Sequence, residues 1–160
     1  MTPAYSELYL SDASLALGSM LESAVYLFEI ELKEFWELFL ASHVSDDFGN
    51  GLSGTVSGKS GWELAAEILD DAGIPFRREK PRGGVGRSRE FWAGWALAQY
   101  QWRIGLPFRE IETFAPIETI LLLYTPYHEM SVDHFVEAIE TLRKTLPPQR
   151  HCATIAGKEI

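Results

Sequence analysis

Apolar residues recur at every third or fourth position along most of the chain, which is the spacing of the buried face of an α-helix. The pattern begins near residue 12 and continues to residue 42 without interruption. A single helix of that length would extend about 46 Å, whereas a compact domain of this size is only about 40 Å across. We therefore predict two helices, with Ser11 or Asp12 as the first N-cap and a break between Glu29 and Glu31.

The rest of the chain predicts further helices separated by glycine-rich loops. Ser60 and Glu63 form a capping box that starts a helix ending at Gly73, and Ser88 and Ser131 precede two more helical patterns. Short helices are predicted over residues 107–114 and 116–124, although the second stretch is also compatible with a buried strand. The Gly-rich residues 46–61 and the Arg- and Gly-rich residues 74–88 are predicted loops.

These patterns predict an all-α protein. We expect a single compact helical bundle over residues 1–146, built from about six or seven helices, and a flexible C-terminal tail over residues 147–160. No alternating strand pattern and no internal repeat is found in the sequence.

The segment 89–105 holds five aromatic residues within twelve positions, from Phe91 to Trp102. On a helical wheel it is apolar on nearly every side, which predicts a central helix with Trp95 and Trp102 as anchors of the core. The alternative is a stacking platform for single-stranded nucleic acid, but such a platform interleaves its rings with basic residues, and here these occur only at the two ends. The core interpretation is therefore favoured.

Gln99 and Gln101 are the polar members of this apolar helix. A buried amide must find hydrogen-bond partners inside the fold or contact a ligand. Both glutamines are therefore candidate binding residues.

The net charge is −9, and it is unevenly distributed. Residues 1–75 hold 13 acidic against 2 basic side chains, whereas residues 76–110 hold 8 basic against 3 acidic. An acidic half argues against wholesale binding to nucleic acid and is compatible with a basic protein partner.

Two stretches are candidate anion sites. Residues 53–65 resemble a phosphate-binding loop that opens a helix, with Lys59 and Ser60 as the candidate ligands, but the spacing from Gly54 is one residue too short for that motif. The basic loop 77–89, with Arg82 and Arg87, could hold a phosphate backbone or an acidic patch on a protein. Nucleic-acid or phosphate binding through this loop is the alternative function that the sequence leaves open.

No convincing catalytic or metal-binding set is found. His128, Glu129 and His134 lack the metalloprotease spacing, and His43 beside Asp46 and Asp47 is equally weak. We predict no metal and no cofactor. The single Cys152, the absence of a secretory signal and the lack of a long apolar run predict a cytoplasmic protein that does not enter a membrane.

Three stretches, "DDFGNGLSGTVSGKSGWELAAEIL", "REFWAGWALAQYQWRIGLPFREI" and "LLYTPYHEM", resemble a family of small uncharacterised bacterial proteins with FGNG, SG-x-ELA, W-AGWALA-x-YQW and HE motifs. The resemblance covers about residues 11–145. It implies occurrence beside toxin-antitoxin-like genes and hence an accessory, antitoxin or immunity role. The chain departs from the pattern in its "SGK" turn and its long Arg-Gly loop. We expect a non-enzymatic module that binds another protein, and the sequence leaves its oligomeric state open.

Overall fold

A computed structural model describes residues 2–78 and 87–146 and shows an all-α fold, as predicted. The described residues form ten α-helices, preceded by a 3-10 helix at Glu7–Tyr9. The helices are α1 (Leu10–Tyr26), α2 (Leu32–Ala41), α3 (His43–Gly49), α4 (Ser53–Val56), α5 (Gly61–Asp71), α6 (Arg89–Ile104), α7 (Phe108–Phe114), α8 (Ile117–Leu122), α9 (Tyr124–Tyr127) and α10 (Val132–Thr145). The predicted tail 147–160 lies outside the described residues.

The helix count exceeds the predicted six or seven because short helices fill the predicted loop. Helices α3 and α4 lie largely within residues 46–61, and α9 adds a further short turn. The stretch 116–124 is helical rather than a strand, which settles the alternative left open above.

The break between the first two helices is confirmed. Helix α1 ends at Tyr26 and α2 begins at Leu32, and Glu29 between them adopts a positive φ of 55°. The predicted first cap is wrong, however. Helix α1 begins at Leu10, directly after the 3-10 helix Glu7–Tyr9, and Ser6 caps that 3-10 helix. Asp12 instead accepts a hydrogen bond of 2.6 Å from the hydroxyl of Ser57.

The other predicted caps are confirmed. Ser60 and Glu63 form the capping box of α5, Ser88 accepts from the backbone N–H of Phe91 at the start of α6, and Ser131 caps α10. Gly105 ends α6 with a φ of 71°, a conformation that glycine adopts without strain.

Two antiparallel helices, α1 and α6, share the centre of the fold. Gly18 and Gly94 lie at their contact, where a Cβ on Gly94 would stand 2.6 Å from the carbonyl oxygen of Leu17. Helix α5 reaches α1 equally closely through Gly61, which faces the backbone of Met20. Helix α1 is thus packed between α5 and α6, and α6 in turn carries α8, α9 and α10.

The tryptophans of α6 are not the anchors of the core, which corrects the prediction from the wheel. Trp92, Trp95 and Trp102 are half-buried, whereas the buried face of α6 consists of small residues together with Glu90, Leu97, Tyr100 and Gln101. Small side chains are buried there because they permit the close approach of α1, and the bulky indoles are displaced to the flanks. The tryptophan inside the core is Trp36 of α2, which is 2% exposed.

Candidate functional site

The displaced aromatic rings of α6 line an open cavity of about 350 Å³ on the surface, which we call the aromatic pocket. Its walls come from α1, the first turns of α6, α9 and the start of α10. The lining residues are Leu15, Arg87, Ser88, Phe91, Trp92, Trp95, Ala96, Tyr124, Tyr127, His128, Met130, Val132 and Phe135. A pocket of this size with six aromatic side chains in its walls and few polar groups is typical of a binding site.

Local structure fixes the aromatic walls. Trp92 packs edge-to-face against both Tyr124 and Phe135, with ring centroids 5.7 and 5.3 Å apart. These contacts hold α9 and α10 against α6, and aromatic pairs of this geometry contribute about 1 kcal/mol each beyond their burial. The pocket is therefore built from a packed wall and not from loose side chains.

Polar groups are few and lie at the edges of the pocket. His128 stacks on Tyr124 with a centroid distance of 4.1 Å, and its Nδ1 lies 2.7 Å from the carbonyl oxygen of Tyr124. Because a carbonyl only accepts, Nδ1 carries the proton. The guanidinium of Arg87, which also lines the pocket, lies 5.9 Å from the centre of the Phe91 ring.

Two exposed apolar side chains extend the pocket outwards. Leu15 on α1 is 45% exposed and Met130, before α10, is 53% exposed, and both line the pocket. An aromatic cavity with an apolar border is a surface that a partner can cover with a gain from apolar burial.

A second pocket, of about 380 Å³, lies on the other side of α1 and contains two of the predicted ligand residues. It is lined by Asp12, Leu15, Ala16, Ser19, Val56, Ser57, Gly58, Lys59, Ser60 and Gly61. We call it the polar pocket.

Lys59 and Ser60 line this pocket, but their polar groups are engaged within the fold. The backbone N–H of Ser60 donates to the Glu63 carboxylate at 2.7 Å, so an acidic side chain already occupies the position where a phosphate would bind. The ammonium of Lys59 lies 2.7 Å from Glu67. Burial alone would raise the pKa of Glu67, but hydrogen bonds and charges from Lys59 and His43 outweigh it and lower the pKa.

Gln99 and Gln101 lie away from both pockets and serve the packing of α6. The Gln99 amide donates to the Ser14 hydroxyl at 2.9 Å. Gln101 is 1% exposed and donates to the carbonyl oxygens of Gly49 and Leu106, at 3.1 Å each. Each glutamine thus joins α6 to a neighbouring segment.

Two of the four described arginines of the basic loop are paired with acidic groups of the protein. Arg78 forms a bidentate ion pair with Asp70, and Arg89 lies 3.4 Å from Glu90. Arg87 lines the aromatic pocket, and Arg82 lies outside the described residues. Phosphate binding through this loop stays a prediction.

The candidate histidines and carboxylates do not converge on one pocket. Asp46 pairs with Arg109 and lines a small cavity beside Gly105, whereas His128 lines the aromatic pocket. His43 pairs with Glu67 and Asp71 instead of its neighbours in sequence. Within residues 2–78 and 87–146, no group of three or more His, Cys, Asp or Glu side chains could hold a metal ion. None of the helices described is both long and apolar enough to cross a bilayer.

Comparisons with known protein families, with curated proteins and with solved structures find no match. The resemblance to the bacterial family with AGWALA and HE motifs stays a prediction.

Sequence reasoning missed the aromatic pocket, and one signal could have indicated it. Trp92 and Trp95 are three positions apart, as are Tyr124 and Tyr127, so each pair shares one face of its helix. Aromatic pairs that face away from the small-residue side of α6 need a second surface to pack against. Helices α9 and α10 provide that surface. The aromatic pocket forms where they do not pack fully against α6.

Proposed function

We propose that the protein is a non-enzymatic binding module that holds a partner protein at the aromatic pocket. One observation carries this proposal: an open cavity with six aromatic walls is bordered by the exposed Leu15 and Met130. Aromatic and methionine side chains are enriched where proteins bind one another, because aromatic rings bury large apolar areas with few rotatable bonds and methionine adapts its shape to the partner.

The chemistry of the pocket favours binding over catalysis. Two of its polar groups are engaged in local structure, since the Ser88 hydroxyl caps α6 and His128 Nδ1 donates to a backbone carbonyl. A nucleophile and a base within hydrogen-bond reach of each other are what covalent catalysis needs. The described lining residues contain no such pair.

The surface charge favours a basic partner. Glu31, Glu34 and Glu37 lie along the exposed side of α2, and the structure describes no ion pair for any of them. Such a stripe attracts a basic protein at long range and is screened by salt. An accessory, antitoxin or immunity-like role in the cytoplasm fits both this charge and the resemblance noted above.

The test is affinity capture from the native host with three forms of the full chain. We expect the wild-type protein to retain a stoichiometric partner and Met130→Glu to reduce its recovery at least tenfold, because the new charge would be buried in the apolar interface. Leu52→Glu is the matched control, since Leu52 is also 53% exposed and lies outside both pockets.

Equal loss of the partner in both variants, or capture unaffected by Met130→Glu, would contradict the proposal. Circular dichroism and urea denaturation of each variant should show an unchanged fold, because both residues are exposed.

A further inference from the structure

The solvent-facing side of α1 lies between the two pockets and contributes lining residues to both. Helix α1 is buried on most sides, but Asp12, Leu15 and Ser19 form a stripe that reaches the surface. These residues are three and four positions apart, so they share one face of the helix. Leu15 lines the aromatic pocket and the polar pocket alike. The pockets therefore meet across a single side chain.

The charge of the polar pocket is set by Asp12. Lys59 also lines this pocket, but Glu67 neutralises its ammonium at 2.7 Å. The Asp12 carboxylate accepts a hydrogen bond from the neutral Ser57 hydroxyl, and no basic side chain of the described chain pairs with it. A carboxylate has further lone pairs beyond the one that a hydroxyl occupies, so Asp12 can accept from a cation.

The two pockets are thus chemically different. The aromatic pocket offers apolar walls, with Arg87 at its edge, and the polar pocket offers an uncompensated negative charge. Opposite charges at the two sites would orient an extended ligand in one direction.

We propose that the two pockets form one groove across α1, which receives an extended segment of a partner protein. An aromatic or large aliphatic side chain of the segment occupies the aromatic pocket, and a lysine or arginine two to four positions away binds Asp12. This inference rests on the proposed function, since it names the chemistry of the partner at the same site.

The spacing follows from simple geometry. Asp12 and Leu15 are three residues apart on a helix, or about 4.5 Å along its axis. Side chains on one side of an extended chain recur about every 6.6 Å, at alternate residues. A basic side chain two to four positions from the apolar anchor lies about 7 to 13 Å farther along the segment, which takes it past Leu15.

The test is a selection of random peptides displayed on phage against the immobilised full chain. We expect enrichment of peptides that combine an aromatic or large aliphatic residue with lysine or arginine two to four positions away. Synthetic forms of the most enriched peptide are then titrated by fluorescence anisotropy. Replacing its basic residue by methionine should weaken binding at least fivefold.

Asp12→Asn is the decisive variant of the protein. It keeps an oxygen that can accept from Ser57 but removes the charge, so it should weaken the basic peptide at least fivefold and leave the methionine peptide unchanged. Asp47→Asn, which lies outside both pockets, is the matched control and should bind both peptides like the wild type.

The outcomes separate the two proposals. Enriched peptides that need Met130 but show no preference for a basic residue, or that bind Asp12→Asn undiminished, would overturn the groove and leave the protein-binding function standing. Failure to select any peptide sensitive to Met130→Glu would overturn both. Self-association of the chain that Met130→Glu abolishes would make a second copy the occupant, and the proposed partner would be wrong.

Discussion

Gln101 is a buried polar side chain in the last turn of the apolar helix α6, and its contacts explain why it is there. Its amide nitrogen donates to the carbonyl oxygens of Gly49, the last residue of α3, and of Leu106, which follows the end of α6. One amide group thus provides the donor for two backbone carbonyl oxygens that have no hydrogen-bond partner within a helix. The side-chain oxygen is buried and has no partner among the described residues.

Gln101→Leu should lower the free energy of unfolding by about 2 kcal/mol, because two carbonyl groups lose their donor. Gln99→Leu removes one hydrogen bond at a half-buried position and should cost about 1 kcal/mol or less. Urea denaturation followed by tryptophan fluorescence measures both. A Gln101→Leu protein of wild-type stability that no longer binds the partner would restore the ligand role expected from the sequence.

Predictions for single residues were correct where the interaction involves neighbours in the sequence. The caps Ser60, Ser88 and Ser131 are recognisable because each side chain bonds to a backbone group two or three positions away. The environment of Trp95 depends instead on residues that are distant in sequence, because it is set by where α1, α9 and α10 lie. A wheel shows that a residue is apolar, but it does not show which of two apolar sides is the buried one.

At the scale of elements, the packing of α1 against α6 depends on two glycines. A Cβ on Gly18 would stand 2.7 Å from the carbonyl oxygen of Phe91, and one on Gly94 would meet the backbone of Leu17 and Gly18. Backbone atoms cannot rotate aside as the end of a side chain can. The two helices would have to separate to admit a methyl group.

Gly94→Ala should therefore lower the free energy of unfolding by about 2 kcal/mol, even though alanine is the better helix former. Gly54→Ala is the matched control, because Gly54 is also helical and a Cβ there meets nothing within 4 Å. We expect Gly54→Ala to be neutral or slightly stabilising. Thermal unfolding compares the two, and an undiminished midpoint for Gly94→Ala would show that the helices are not in backbone contact.

Long helices were predictable from periodicity, and short ones were not. Helices α1, α2, α5, α6 and α10 each span enough turns to repeat their apolar spacing. Helices α3 and α4 have seven and four residues and are rich in Gly, Ser and Asp, a composition that also describes loops. Phe48 and Val56 within them are fully buried, so tertiary packing stabilises these turns.

At the scale of the whole molecule, ion pairs that join separate helices are sensitive to acid, because they need an ionised carboxylate. A hydrogen bond and the charge of Arg103 lower the pKa of Asp133, and this pair joins α6 to α10 at 2.6 Å. A lowered pKa in the folded state stabilises the fold above the unfolded pKa, and that contribution is lost as the pH falls through the folded pKa.

The variant Arg103→Met should accordingly be less stable than the wild type at pH 6, and the difference should close as the pH falls below the ordinary Asp pKa of 3.8 and through the lowered pKa of Asp133. Urea midpoints measured at pH 6, 4 and 2.5 follow the difference. A gap that stays constant with pH would mean that Arg103 contributes through packing of its aliphatic stem and not through its charge.

The all-α class of the described residues was predictable, whereas the candidate site was not. The site joins residues 12–19, 87–96 and 124–135, which the sequence separates by long intervals. Periodicity within one segment contains no information about which segments meet. The charge split was visible in the sequence, but the pairing of Lys59 with Glu67 and of Arg78 with Asp70 required the fold.

Gly18, Gly61 and Gly94 also determine the dimensions of the groove. They hold α5 and α6 at backbone distance on either side of α1. The distance between the two pockets is therefore set by the main chain. The side chains of Asp12, Leu15 and Ser19 determine only the chemistry of the surface between them. Those three positions could be exchanged to recognise a different sequence while the dimensions of the cleft stay constant, which would make the fold a reusable scaffold for engineered peptide recognition.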